Sequence, residues 1–275
     1  MQRIIVVIPT FYTDTNDVRY HLALETCRTI ATEGLEGIVV DASPSPQIRQ
    51  ALEDAGTIGS KKHVRVVEQI SAGRKGTALR EGILLADKSL NDDQEEDDQY
   101  VVSAFLAFQE PEKVDMVRHW KHLVSVMEEQ QADICVPART DASFRSTYPI
   151  EQYHSEQFAN LYLNTLAIKT SSKFPDIDWT MGPIILRASM ARHWSAYHGD
   201  LWDMQLIPMI RAQRWHGAKV LSEPVEYLHP ASMKEEEEGV PLWSEKRLMQ
   251  LNFLFEHVGK ALQESAADYH SATEK

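Results

Sequence analysis

The apolar positions fall first into a continuous β-branched run, Ile4-Ile-Val-Val-Ile8, ended by Pro9. Such a run reads as a strand buried on both faces, as in a parallel sheet. A helical pattern over residues 17–32 then leads through Gly34 and Gly37 into Ile38-Val-Val40, a second short strand that ends at Asp41. Strand, helix, strand is a βαβ unit. Residues 63–69 alternate as a third strand, 78–88 read as a helix, and 100–108 as a fourth, apolar strand. Over residues 112–130, Val114, Val117, Trp120, Leu123, Val124 and Met127 recur at helical spacing, and 132–136 return as a fifth strand. This order predicts an α/β fold, a mostly parallel central sheet with helices on both faces.

The second half is less regular. It predicts a helix over 151–169, a strand over 183–186, a helix over 201–215, and a hairpin-like pair around Val220 and residues 225–228. Residues 241–264 close the chain as a helix whose stripe is Trp243, Leu248, Leu251, Leu254, Val258 and Leu262. That stripe reads as core, with a partner-binding face as the alternative; a homodimer paired through this helix stays open. No internal repeat is visible, and 275 residues at 43% hydrophobic content can bury one sizeable core, so a single domain over 1–275 is expected.

Charge changes the picture in one respect. The formal net charge of −13 argues against broad contact with nucleic acid or an anionic bilayer, both of which need clustered Lys and Arg. Six of the acids lie within 92–98 and four form Glu235 to Glu238; without these ten the charge falls to −3, so the acidity is local. Residues 91–98 read as a solvated acidic loop. The first apolar run is too short for a signal peptide, no stretch approaches the roughly 18 apolar residues of a membrane span, and Cys27 and Cys135 lie far apart. A cytoplasmic protein with free thiols and no transmembrane segment is expected.

In doubly wound sheets, ligands bind beyond the carboxyl ends of the strands. This directs attention to Pro9-Thr10-Phe11, to Asp41-Ala-Ser43, to residues 69–76 and to Gln109, Glu110 and the residues up to Lys113. A carboxylate ending a buried strand, as at Asp41, can accept hydrogen bonds from a base or ribose. Gly73-Arg74-Lys75-Gly76 combines two glycines, two cations and the start of a helix, a pattern suited to cradling a pyrophosphate; a cationic surface turn is the alternative. It matches neither the dinucleotide nor the P-loop fingerprint.

These segments together resemble the GT-A glycosyltransferases related to family 2 and to the retaining mannosylglycerate and glucosylglycerate synthase types. Val6-Val-Ile-Pro-Thr10 looks like the opening strand motif, Ile38-Val-Val-Asp-Ala-Ser43 the strand whose terminal acid meets the base, and Gly73-Arg-Lys-Gly-Thr-Ala-Leu the family's Gly-Lys-Gly-x-Ala-Leu segment. Asp178-Trp-Thr-Met-Gly182-Pro183 resembles the acceptor-site loop, Leu201-Trp202-Asp203-Met-Gln-Leu206 the segment carrying an acid near the acceptor, and Val225-Glu-Tyr-Leu-His229-Pro230 the late strand whose His completes the metal site. The likeness spans about residues 4–230. It implies a nucleotide-binding part over about 1–140, an acceptor part over 141–240 and a C-terminal helix over 241–268. It also implies transfer of a hexose from a nucleotide diphosphate sugar to an acceptor the sequence does not identify.

The departure is the Asp-x-Asp that should follow the fourth strand, where this chain has Phe108-Gln109-Glu110-Pro-Glu112-Lys113. Glu110, with Gln109 as a neutral neighbour, and His229 are the remaining candidates to hold Mn²⁺ or Mg²⁺. The competing account is metal-free, with Lys75, Arg74 and Arg139 neutralising the diphosphate. Were the reaction inverting, Asp203 would be the base; it equally suits a structural place at a helix start. Asp178, with Asp176, would meet acceptor hydroxyls, Gly182 and Pro183 would allow close approach, and Trp202 would stack on a sugar or join the core. Two rivals remain: a sugar-nucleotide nucleotidyltransferase, whose glycine-rich signature should directly follow the first strand, and a non-catalytic nucleotide-sugar-binding protein.

Overall fold

The computed structural model describes residues 2–94, 103–170, 174–265 and 269. In chain order the elements are β1 (Arg3–Thr10), α1 (Val18–Thr32), β2 (Glu36–Asp41), α2 (Pro46–Ala55), β3 (Thr57–Ile58), β4 (Lys61–Lys62), β5 (Val64–Glu68) and α3 (Lys75–Gln94). Then follow β6 (Ala104–Phe108), α4 (Trp120–Gln130), β7 (Ile134–Arg139), α5 (Asp141–Thr147), α6 (Ile150–Thr170) and β8 (Ile184–Arg187). Last come α7 (Ala191–Ser195), α8 (Asp203–His216), β9 (Val220–Val225), α9 (Ala231–Glu237) and α10 (Pro241–Gln263).

The central sheet has seven strands in the order β5-β2-β1-β6-β8-β7-β9. All neighbours are parallel except β8, which runs antiparallel between β6 and β7. The alternation along β1 shows why the strand had to be apolar throughout. Ile5 and Val7 face one core with α3, α6, α8 and α10, whereas Ile4, Val6 and Ile8 face the other with α1, α2 and α4. Helix starts follow local chemistry: the Asp17 carboxylate accepts the Arg19 N–H at 2.8 Å to cap α1, and Gly217 at φ 70° ends α8. The sheet order places the ends of β5, β2, β1 and β6 side by side, and it is there that the site forms.

Several expectations change. The hairpin around Val220 is instead the single strand β9, parallel to β7. Residues 226–230 carry no strand and run on to place His229. The helix over 112–130 divides into a 3-10 turn, Val114–His119, followed by α4. The helix starting near 78 begins earlier, at Lys75, and runs to Gln94, so the start of the expected acidic loop is helical. The remainder of that loop, residues 95–98, and residues 100–102 of the fourth strand lie outside the described residues. Cys27 and Cys135 are buried free thiols, and no helix among the described residues is long and apolar enough to cross a membrane.

Candidate active site

A cavity of about 770 Å³ opens at the carboxyl ends of β1, β2, β5 and β6 and continues beneath α9 and α10. From the residues singled out in the sequence, Pro9, Thr10, Phe11, Gly73, Arg74, Lys75, Glu110, Trp202 and His229 line it. Asp41, Gln109, Asp178, Gly182, Pro183 and Asp203 do not.

Asp41 is fully buried and accepts from the hydroxyls of Thr10 at 2.7 Å and Ser43 at 2.6 Å, holding the β1 and β2 ends that frame the cavity. Gln109 donates to the Lys113 carbonyl at 3.0 Å and accepts from the Trp120 indole at 2.9 Å, so both ends of its amide are spent inside the protein. Asp178 forms a two-pronged pair with Arg139, at 2.7 and 2.8 Å, and accepts from Asn160 at 2.8 Å. Asp203 accepts from the Leu201 N–H at 2.9 Å and the Tyr197 hydroxyl at 3.2 Å. It thereby shapes the loop whose Asp200 carbonyl accepts the Gly76 N–H at 2.8 Å. The close approach that Gly76 permits is therefore to this loop rather than to a ligand, since an added Cβ would strike Gly199 and Asp200.

Gly182, two residues before β8, sits at φ +97°, and a Cβ there would come within 2.6 Å of the Glu110 carboxylate. Because β8 runs antiparallel, its entry falls beside the exit of β6, which is how Gly182 and Glu110 meet. Gln205 of α8 ties the two together, donating to the Gly182 carbonyl at 3.1 Å and to Glu110 at 3.3 Å.

Glu110 lies at the centre of the electrostatics. One of its oxygens accepts from the Lys75 ammonium. Burial alone would raise its pKa, but Lys75 and Lys113 outweigh that and bring it down to about 2. Burial would likewise lower Lys113, whose pKa is instead raised by Tyr148 and Glu110. Lys113 lines the cavity and stands over the Tyr227 ring at 5.4 Å. Lys113 is the cation three residues after Glu110 in the sequence, and its place over Tyr227 depends on a contact across the fold that no local pattern encodes.

The lining carries six cations, Arg19, Arg74, Lys75, Lys113, Lys246 and Arg247, against four carboxylates, Glu110, Glu112, Glu156 and Glu237. The cavity is thus cationic by two within a chain of net charge −13, which suits an anionic ligand. Unsatisfied polar atoms gather here as well. Glu110 Oε2, the Tyr148 hydroxyl, Gln152 Oε1 and both ring nitrogens of His229 are buried without a protein partner, the pattern expected where a ligand completes the hydrogen bonding.

His229 stacks on Tyr148 with ring centroids 4.2 Å apart. Burial, then Lys113 and Arg139, lowers its pKa to about 2, so the ring is neutral and keeps a lone pair for a metal. The residues therefore fit a divalent cation: Glu110 Oε2 and His229 are oxygen and nitrogen donors facing one cavity, and a diphosphate would supply further oxygens. No cluster of three His, Cys, Asp or Glu suited to a metal exists among the described residues, so a cation here would draw most of its ligands from a bound diphosphate and water.

The chain has the GT-A fold, seen in solved structures that it resembles over most of its length. The crystal structure of glucosyl-3-phosphoglycerate synthase from Mycobacterium tuberculosis is similar to it with a TM-score of 0.56 at 12% identity, covering 94% of this chain and 81% of that one. The same enzyme in complex with Mn²⁺, UDP-glucose and phosphoglyceric acid gives a TM-score of 0.54 at 11% identity, covering 94% and 80%. Comparison of the sequence with protein-family profiles and with curated proteins gives no match.

Proposed function

We propose that the protein is a glycosyltransferase that moves a hexose from a nucleotide diphosphate sugar to an acceptor bound under α9 and α10. The observation that carries this reading is the cationic cavity at the ends of β1, β2, β5 and β6, with Gly73, Arg74 and Lys75 at the start of α3 and unpaired polar atoms at its centre. The likeness to a synthase crystallised with UDP-glucose supports it. The base would lie against Pro9 to Phe11, the diphosphate against Arg74, Lys75 and Lys113, and the sugar towards Trp202. Lys75 and Lys113 would stabilise the charge that builds on the diphosphate as the bond to the anomeric carbon breaks. Glu110 and His229 would hold a divalent cation, which supplies further charge neutralisation to the departing diphosphate.

Asp203 acts in this scheme as a positioning residue, through the loop it shapes against the start of α3. Asp178 does the same for Arg139 at the end of β7. The test is a thermal-shift screen of UDP-, GDP- and ADP-hexoses with and without Mn²⁺, followed by measurement of nucleoside diphosphate release. A melting-temperature rise with one base and release of the matching diphosphate is the expected result. No shift with any of these donors would sink the reading.

A further inference from the structure

The Lys75 ammonium sits on the same carboxylate that the cation would need. Lys75 begins α3, directly after Gly73 and Arg74, while Glu110 follows β6, thirty-five positions further along the chain. Their side chains are only 25% and 16% exposed, so the pair is largely shielded from water. Lys75 has two possible anionic partners in a loaded site: Glu110, or the diphosphate that the surrounding loop is built to receive. It cannot neutralise both fully. A dication approaching Glu110 while Lys75 is in place meets an ammonium on the first oxygen and Lys113 as the second cation acting on the group.

Resting on the donor reading above, we propose that Lys75 is a latch on the metal site: it occupies Glu110 in the free protein and releases it when a nucleoside diphosphate draws the ammonium away, so that metal and donor bind interdependently. The diphosphate gains Lys75, Glu110 gains the cation, and each ligand raises the affinity for the other by the same factor, as linkage requires. The surroundings support such an exchange. The second oxygen of Glu110 and the His229 nitrogens are already without protein partners, so among these atoms only the ammonium contact is given up when a cation binds. Gln205, bonded to both Glu110 and Gly182, holds the carboxylate in place while its partner changes.

The test uses the full chain and Mn²⁺ alone, with free Mn²⁺ read by electron paramagnetic resonance. Wild type is expected to bind Mn²⁺ weakly, and K75Q to bind it at least roughly tenfold more tightly, because removing one member of a shielded ion pair leaves a carboxylate in need of a counter-charge. K75R should behave as wild type, and adding H229A to K75Q should abolish the gain, which locates the ion. Melting curves confirm that each variant is folded. Equal or weaker Mn²⁺ binding by K75Q overturns the latch. If UDP, GDP or ADP binds wild type equally in EDTA and in Mn²⁺, the latch fails while the donor reading stands. If none of them binds under either condition, the donor reading fails and the latch with it.

Discussion

His229 is held neutral by its surroundings, and that has a cost that pH can reveal. Its pKa falls from 6.5 to about 2, and that of His193 to about 4, both mainly through burial. With the folded value depressed, the unfolded chain takes up the proton first as pH drops below about 6.5, so stability falls with acidification. Glu110 and Asp178, both lowered to about 2, act in the same direction lower down; their contribution is present above the ordinary carboxylate range and lost as pH falls towards 2. Urea unfolding at pH 6.5, 6.0, 5.5 and 5.0 should therefore show declining stability. His229→Gln should reduce that slope by about 1.4 kcal/mol per pH unit; an unchanged slope would mean the imidazole is freely protonated in the fold. The sequence made His229 visible through its place in a late motif, but not its neutrality, which arises first from burial and then from Lys113 and Arg139, both more than 80 residues away in the chain. Asp178 was legible as an acid in a loop; that its oxygens are consumed by Arg139 depends on a contact across 39 residues, which no local pattern encodes.

At the scale of elements, α9 and α10 are fastened over the cavity by alternating charges. Arg139 pairs with Glu156, which also accepts from Arg247 at 2.8 Å; Arg247 reaches Glu237 at 3.3 Å, and Glu237 accepts from Arg19 of α1 at 2.7 Å. Glu156 and Glu237 are 2% and 6% exposed, so removing a cation leaves buried carboxylate charge only partly compensated. Arg247→Ala is expected to raise hydrogen exchange over residues 231–250 about tenfold, corresponding to a local loss of roughly 1–3 kcal/mol. Exchange in β1, β2 and β6 should be unaffected; a uniform rise throughout the chain would show that α9 and α10 do not open as a unit. Helix α10 was readable from its stripe, and Leu251, Leu254, Val258 and Leu262 are buried as that stripe implies, whereas Leu248 is 64% exposed. The run Glu235 to Glu238 looked like surface acidity because adjacency of like charges is all a sequence displays; Glu237 is in fact inside the ion-pair chain. Helix α2 went unread despite Pro46 at its first turn and the i, i+4 pair Ile48 and Leu52, a signal present in the residues but too short to stand out.

For the whole molecule, the βα alternation of the first half was legible because both faces of β1 and β2 are buried and so demand unbroken apolar runs. The reversal of β8 was not, since a strand's direction in a sheet leaves no periodic mark. Charge poses the remaining question at this scale: a chain of −13 should repel an anionic donor, while a cavity cationic by two should attract it. Distance decides between them. Screening lengths are about 10 Å at 0.1 M salt and about 3 Å at 1 M, so charges spread over the surface are largely damped at the cavity, whereas Lys75, Lys113 and Arg74 line it and would act at contact on an anion bound there. Binding of a nucleoside diphosphate, followed by calorimetry, should therefore weaken several-fold as NaCl rises from about 0.05 to 0.5 M, while the uncharged nucleoside is indifferent. If salt instead strengthened diphosphate binding, the global charge would be governing the encounter and the cationic lining could not be the feature that selects the ligand.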